Sequence, residues 1–195
     1  MERIELENWI ADHPDSIHTD SKALLDRCEL DAIDHAHRDA WLEAIRIARK
    51  RLRRFEHGFG NPASDTFVTR EVCHEIAREL KLHEPVPDFR DRGRDEWPGR
   101  SLPDALDSDA REKFLDWIEE LAAKEEHSTW REIVHFTDRR ARSLIREGHM
   151  TDRCDWDLNH TYPLVAARVV KMLIAEFEAH AAFALEGPSE MSSRH

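Results

Sequence analysis

Apolar residues recur at steps of three and four along most of the chain, the spacing that gathers them on one face of an α-helix. Leu30, Ile33, His37, Trp41, Ala44, Ala48, Leu52 and Phe55 form one such stripe. They predict a long helix from about Ser21 to Phe55, with a break near Leu30-Asp31 as an option. A short amphipathic helix over residues 2–11, anchored by Trp9 and Ile10, precedes it and ends at Asp12-His13-Pro14. Gly58, Gly60 and Pro62 close the long helix, as glycine and proline do at helix ends. Asp65 is placed to cap a third helix that reaches Leu82 and buries Val72, Cys73, Ile76, Ala77 and Leu80.

The second half repeats this grammar. A helix over residues 108–126 turns Phe114, Ile118, Leu121 and Ala122 inward. Thr129-Trp130-Arg131-Glu132 reads as a capping box that restarts the helix and carries it to Gly148. Its stripe is Trp130, Ile133, Val134, Ala141, Leu144 and Ile145. The last helix opens at Thr161-Tyr162-Pro163, with proline where a free N–H is absent anyway, and runs to Leu185. It is apolar over most of its circumference, which makes it the central helix. Residues 84–107 join the halves 1–83 and 108–186 as a charged loop containing Pro85, Pro87, Pro98 and Pro103, too long for a simple connection. Residues 187–195 read as a flexible tail. No repeat and no strand pattern emerges. The expectation is all-α: one domain, 1–186, built as an irregular bundle of five to six helices.

Charge narrows the choice of partner. Asp and Glu number 41 against 29 Lys and Arg, a formal net charge of −12. A field of that sign repels phosphate backbones, so nucleic acid is expected at most locally, along the basic stripe Arg131, Arg139, Arg142 and Arg146. No run approaches the ~20 apolar residues of a membrane span. Met1-Glu2-Arg3-Ile4-Glu5 lacks a signal-like apolar stretch. The three cysteines are odd in number, widely spaced and without a CxxC pair, which points to a reducing, cytoplasmic setting.

Thirteen histidines supply the candidate chemistry. Glu71/His74 and Glu132/His135 have the Glu-x-x-His spacing of carboxylate-bridged di-iron bundles. Two such pairs are what this composition yields by chance, and both project away from the apolar side of their helix. Four pairs have the spacing Arg-x(4–6)-His: Arg51/His57, Arg78/His83, Arg142/His149 and Arg153/His160. Arg142/His149, at the end of the penultimate helix and before a final apolar one, resembles the motif of the HEPN ribonucleases. The resemblance covers the last third of the chain and departs from the pattern at Ser143. It implies Arg142 and His149 as catalytic residues acting on an RNA phosphodiester. Between them and the last helix, His149, Asp152, Cys154, Asp155, Asp157, Asn159 and His160 are ligand-type side chains. They match no zinc spacing and suit turns and caps.

The face of the last helix raises a different possibility. Arg168, Lys171 and Glu178 form one polar strip, while Glu176 and His180 fall on the opposite side with Val169 and Leu173. His37 sits inside the apolar stripe of the long helix. Buried ionisable groups need partners. Were His37 to face Glu176 and His180, the three would hold one divalent metal or form an acid–base pocket; otherwise Glu176 and His180 pair with each other. Walker loops, nucleophile elbows and dinucleotide fingerprints are absent, so no cofactor is required. The leading expectation is a non-enzymatic helical module, acting as regulator, inhibitor or accessory subunit, that binds a protein with a basic surface. Trp97, Trp117 and Phe136 are its interface aromatics. The rivals are an enzyme using His37, Glu176 and His180, and a HEPN-like ribonuclease.

Overall fold

The computed structural model describes residues 2–17, 20–58, 60–85, 106–147 and 160–183. Over these the chain is all-α. Five helices follow in order: α1 (Arg3–Asp12), α2 (Ser21–Glu56), α3 (Asp65–Leu82), α4 (Ser108–Arg146) and α5 (Tyr162–Phe183), with one 3-10 turn at Pro14–Ser16. Among the described residues there is no strand, only two isolated bridges, Ile17 with Leu106 and Pro62 with Thr161. None of the described helices is long and apolar enough to cross a membrane.

α2 matches the long helix the sequence pattern predicts, and α4 joins two predicted helices into one. α2 runs unbroken through Leu30-Asp31 because nothing there interrupts it: no glycine, no proline, and a run of alanines at every fourth position. Ala32, Ala36, Ala40, Ala44 and Ala48 are all buried. Ala44 and Ala48, with Trp41, belong to the stripe read from the sequence, and Ala32, Ala36 and Ala40 add to the inward line of α2. Leu30, assigned to that stripe, is 60% exposed.

α4 likewise continues through Thr129-Trp130-Arg131-Glu132, where a restart was expected. Trp130 is the reason. It is among the largest fully buried side chains, and its indole N–H donates to the Leu80 carbonyl oxygen at 2.9 Å, which requires an intact helix on both sides. Thr129 is buried as well, but its hydroxyl has no hydrogen-bond partner and therefore caps nothing.

The contacts gather the chain into two units rather than into the sequential halves 1–83 and 108–186. Unit 1 is Met1–His37 with Val86–His127; unit 2 is Arg38–Pro85 with Ser128–His195. The core of unit 1 contains Leu6, Leu24, Leu25, Cys28, Ala32, Phe114, Trp117 and Ile118, with Trp9 and Ile10 packed on its edge. The core of unit 2 is larger. In it Val165, Val169, Val170, Leu173 and Phe177 of α5 meet Trp41 and Ala44 of α2, Val72 and Ile76 of α3, and Trp130 and Ile133 of α4.

Because α4 is continuous, Thr129 is a buried mid-helix hydroxyl and not a cap. Thr129→Val should leave stability unchanged or raise it by up to about 1 kcal/mol, since an unpaired buried hydroxyl is replaced by a methyl of the same shape. A functioning cap would instead lose about 1 kcal/mol. Urea denaturation followed by circular dichroism separates the two outcomes.

Candidate functional site

Glu176 and His180, singled out by sequence, are engaged by different neighbours. Glu176 is half-buried on α5 and fully engaged by Arg140 of α4, whose Nε donates to both carboxylate oxygens at 2.8 and 2.7 Å and whose Nη2 donates at 2.6 Å. Arg140 also reaches Glu147 at 3.0 Å. His180 does not project into the core as its spacing suggested. It is exposed, lying flat on Trp41 with ring centroids 4.5 Å apart and an interplanar angle of 8°, with Phe136 edge-on at 5.3 Å. It lies in the last turn of α5 as described, with its ring against the aromatic side chains of α2 and α4. His37 is half-buried and belongs to unit 1, whereas Glu176 and His180 belong to unit 2. Among the described residues no group of three or more His, Cys, Asp or Glu is placed to hold a metal ion.

Of the HEPN-like pair, Arg142 is exposed on α4, and His149 lies outside the described residues. So do Trp97, most of the charged loop and the tail. Trp117, read as a surface aromatic, is 3% exposed and stacks edge-on against Phe114 in the core of unit 1. Phe136, read as outward, is half-buried against Trp41, Phe177 and His180. Trp117 is therefore a core residue of unit 1 rather than an exposed one. A large aromatic on a charged helix is more profitably buried than displayed, and the neighbouring apolar positions place both toward a core.

The most concentrated polar cluster involves residues that sequence reasoning treated separately. Asp65 opens α3 and is 2% exposed. Its Oδ1 accepts from His160 Nδ1 at 3.1 Å, and its Oδ2 pairs with Arg168 Nη2. The segment around it is zipped to the start of α5: Ala63 N–H donates to the His160 carbonyl at 2.8 Å, and Tyr162 N–H to the Asn61 carbonyl at 3.0 Å. Gly60 lies so close to Pro163 that an added Cβ would stand 2.4 Å from the proline ring, so the zipper needs glycine there.

Asp65 thus sits at the starts of two helices, where unpaired N–H groups favour an anion. Its hydrogen bond fixes the His160 proton on Nδ1. Arg168 and His160 share the Asp65 carboxylate, so the cluster acts as a bolt between α3 and α5. The sequence signal was the aspartate itself, assigned only to capping; nothing in its spacing named His160 or Arg168 as partners.

Beside the bolt, burial pushes the phenol of Tyr162, the chain's one tyrosine, up to about 12, helped by Glu75 and Glu71 and opposed by Arg51. Arg51 pairs with Glu75 and covers the Phe55 ring at 5.4 Å. Burial raises Cys73 to about 12 and moves Cys28 in the same direction.

Charge is distributed unevenly between the units. Unit 1 contains 23 Asp and Glu against 10 Lys and Arg, a net −13. Unit 2 contains 18 against 19, a net +1. The whole acidic surplus of the chain belongs to unit 1. There Glu5, Glu7, Asp12, Asp15, Asp34, Glu112 and Asp116 are exposed, together with two large apolar side chains, Ile4 at 69% and Leu30 at 60%.

Two predictions come from the bolt. Asp65→Asn leaves Arg168 and His160 without their shared anion and should destabilise the protein by about 2 kcal/mol, discounted from the larger value of a fully buried pair because Arg168 is half-exposed; chemical denaturation measures it. Tyr162, titrated at 295 nm, should ionise near pH 12 in the folded protein rather than near 10. Since the folded state holds that proton more tightly, its contribution to stability is complete below pH 10 and is lost as the pH rises through 12. An ordinary midpoint near 10 would show the phenol to be fully solvated.

Comparison of the chain with protein-family models, with curated proteins and with solved structures gave no match in any of the three.

Proposed function

We propose that this protein is a non-enzymatic helical module that binds another protein with a basic surface, and that unit 1 carries the contact. The observation that supports this is the segregation of charge: a net −13 on unit 1 beside a net +1 on unit 2. Evenly spread, an acidic surplus serves solubility and little else. Gathered on one unit, it makes a field that steers a cationic partner and speeds encounter. Ile4 and Leu30 add exposed apolar surface on the same unit, which charge pairing alone does not provide. We place the module in the cytoplasm, on its odd set of cysteines and the buried free thiols Cys28 and Cys73.

The test compares the wild type with a five-fold variant, Asp12→Asn, Asp15→Asn, Asp34→Asn, Glu112→Gln and Asp116→Gln, as baits for basic proteins at low and high salt. All five side chains are exposed. The variant should fold as the wild type does and lose at least about tenfold in retention at low salt. A two-residue change on unit 2, Asp39→Asn with Glu132→Gln, should leave retention unaltered, whereas the two-residue change Asp34→Asn with Glu112→Gln on unit 1 should lower it. Retention indifferent to salt, or equally reduced by changes on either unit, removes the proposal.

A further inference from the structure

The N-terminal half of α2 has two apolar faces. One is buried in the core of unit 1 and carries Leu24, Leu25, Cys28 and Ala32. The other begins the stripe that continues as Trp41, Ala44 and Ala48 in the core of unit 2. Within unit 1 that stripe is open: Leu30 is 60% exposed, and Ile33 and His37 are half-buried. A helix at the surface of a packed domain ordinarily has one apolar stripe and a polar back. Here the back carries a leucine beside an isoleucine, with acids at both ends. Asp26 and Asp34 are exposed and stand one turn before and one turn after Leu30. Each lies within about 40° of it around the helix axis, so the three form an i, i+4 ridge. Arg27, at the edge of this face, is drawn aside toward Asp31 at 3.9 Å.

We infer that the partner docks on this ridge with an amphipathic helix, which sets an apolar side chain against Leu30 and Ile33 and a basic one on each of Asp26 and Asp34. The inference rests on the acidic-docking reading and adds the form of the partner's contact. Asp26 and Asp34 are eight positions apart, about 12 Å along the axis. A second helix lying along the ridge matches that separation with Arg or Lys one turn before and after its own apolar residue. Asp26 already accepts from Arg3, yet a carboxylate has lone pairs for more than one donor. A second copy of the chain does not fit, because two units of net −13 repel and their ridges would set acid against acid. A polybasic segment without apolar residues would satisfy the acids and leave Leu30 in water.

The experiment uses the full chain and two alanine-based peptides of about 16 residues, long enough to hold a helix. Both carry an arginine one turn before and one turn after a central position. The first has leucine at that position and again three residues on; the second has glutamine at both. Affinity is read by fluorescence anisotropy at low and high salt. The leucine peptide should bind at least about fivefold tighter than the glutamine peptide. Leu30→Gln should remove that preference, whereas Leu82→Gln, at an exposed apolar position of unit 2, should keep it. Asp34→Asn should weaken both peptides by a similar factor. Equal affinity of the two peptides for the wild type, a preference that survives Leu30→Gln, or a Leu30-dependent dimer in sedimentation without peptide overturns the inference. In each of those cases salt-sensitive binding of both peptides leaves the acidic-docking reading intact. Failure of both peptides to bind at low salt removes that reading and the inference together.

Discussion

The burial of α5 is the constraint to which the rest of unit 2 answers. Val165, Ala166, Val169, Val170, Leu173, Ile174, Phe177 and Ala181 are all removed from water, and no single neighbouring helix could cover so wide an apolar surface. α2, α3 and α4 each contribute to the covering. The remaining strip of α5 is polar, and its charges are answered one by one: Arg168 by Asp65, Lys171 by Glu56 at 2.9 Å, and Glu178 by Arg49 at 2.6 Å. Glu176, between strip and core, is answered by Arg140. Dispersion and the hydrophobic effect bring the helices together without specifying their rotation. The ion pairs, each with a fixed partner on a different helix, select one rotation of α5 among those that bury it equally well.

Much of this was legible because it depends on period. The existence of five helices, the central place of the last one and its polar strip of Arg168, Lys171 and Glu178 all follow from spacing at 3.6 residues per turn. What spacing could not resolve was competition between a local signal and a distant one. Thr129-x-x-Glu132 is a sound capping pattern, but the burial of Trp130 against Leu80 outweighs the roughly 1 kcal/mol a cap contributes. Ala32, Ala36 and Ala40 of α2 stayed outside the stripe read from spacing because alanine is as common on surfaces as in cores. Only the opposing helices decide that Ala36 and Ala40 are inside while Leu30 is outside.

The site residues illustrate the same boundary. Period placed Glu176 and His180 on one side of α5 and could say nothing about where α5 stops relative to its neighbours. One turn separates a glutamate held by Arg140 from a histidine lying exposed on Trp41. Asp65 and His160 are 95 positions apart in sequence, and their encounter is set by the zipper between Ala63 and His160, a backbone arrangement with no side-chain signature beyond Gly60. Charge segregation was hidden for a related reason. Unit 1 is assembled from two stretches of chain, so its net −13 appears only after the stretches are joined.

That joining bears on stability as well as on binding. Thirteen surplus negative charges repel one another, and the repulsion opposes the compact state of the unit that contains them. The few cations there are accordingly shared: Arg3 serves three carboxylates and Lys124 serves two, Glu2 and Glu120. Exchanging several exposed acids for neutral residues would relieve the repulsion without disturbing any core contact. A unit shaped by stability alone would tend toward such exchanges, because surface positions of this kind tolerate them. Under the function proposed above, a positive surface brought against unit 1 would remove that repulsion, so the same exchanges that relieve the isolated unit would weaken the contact.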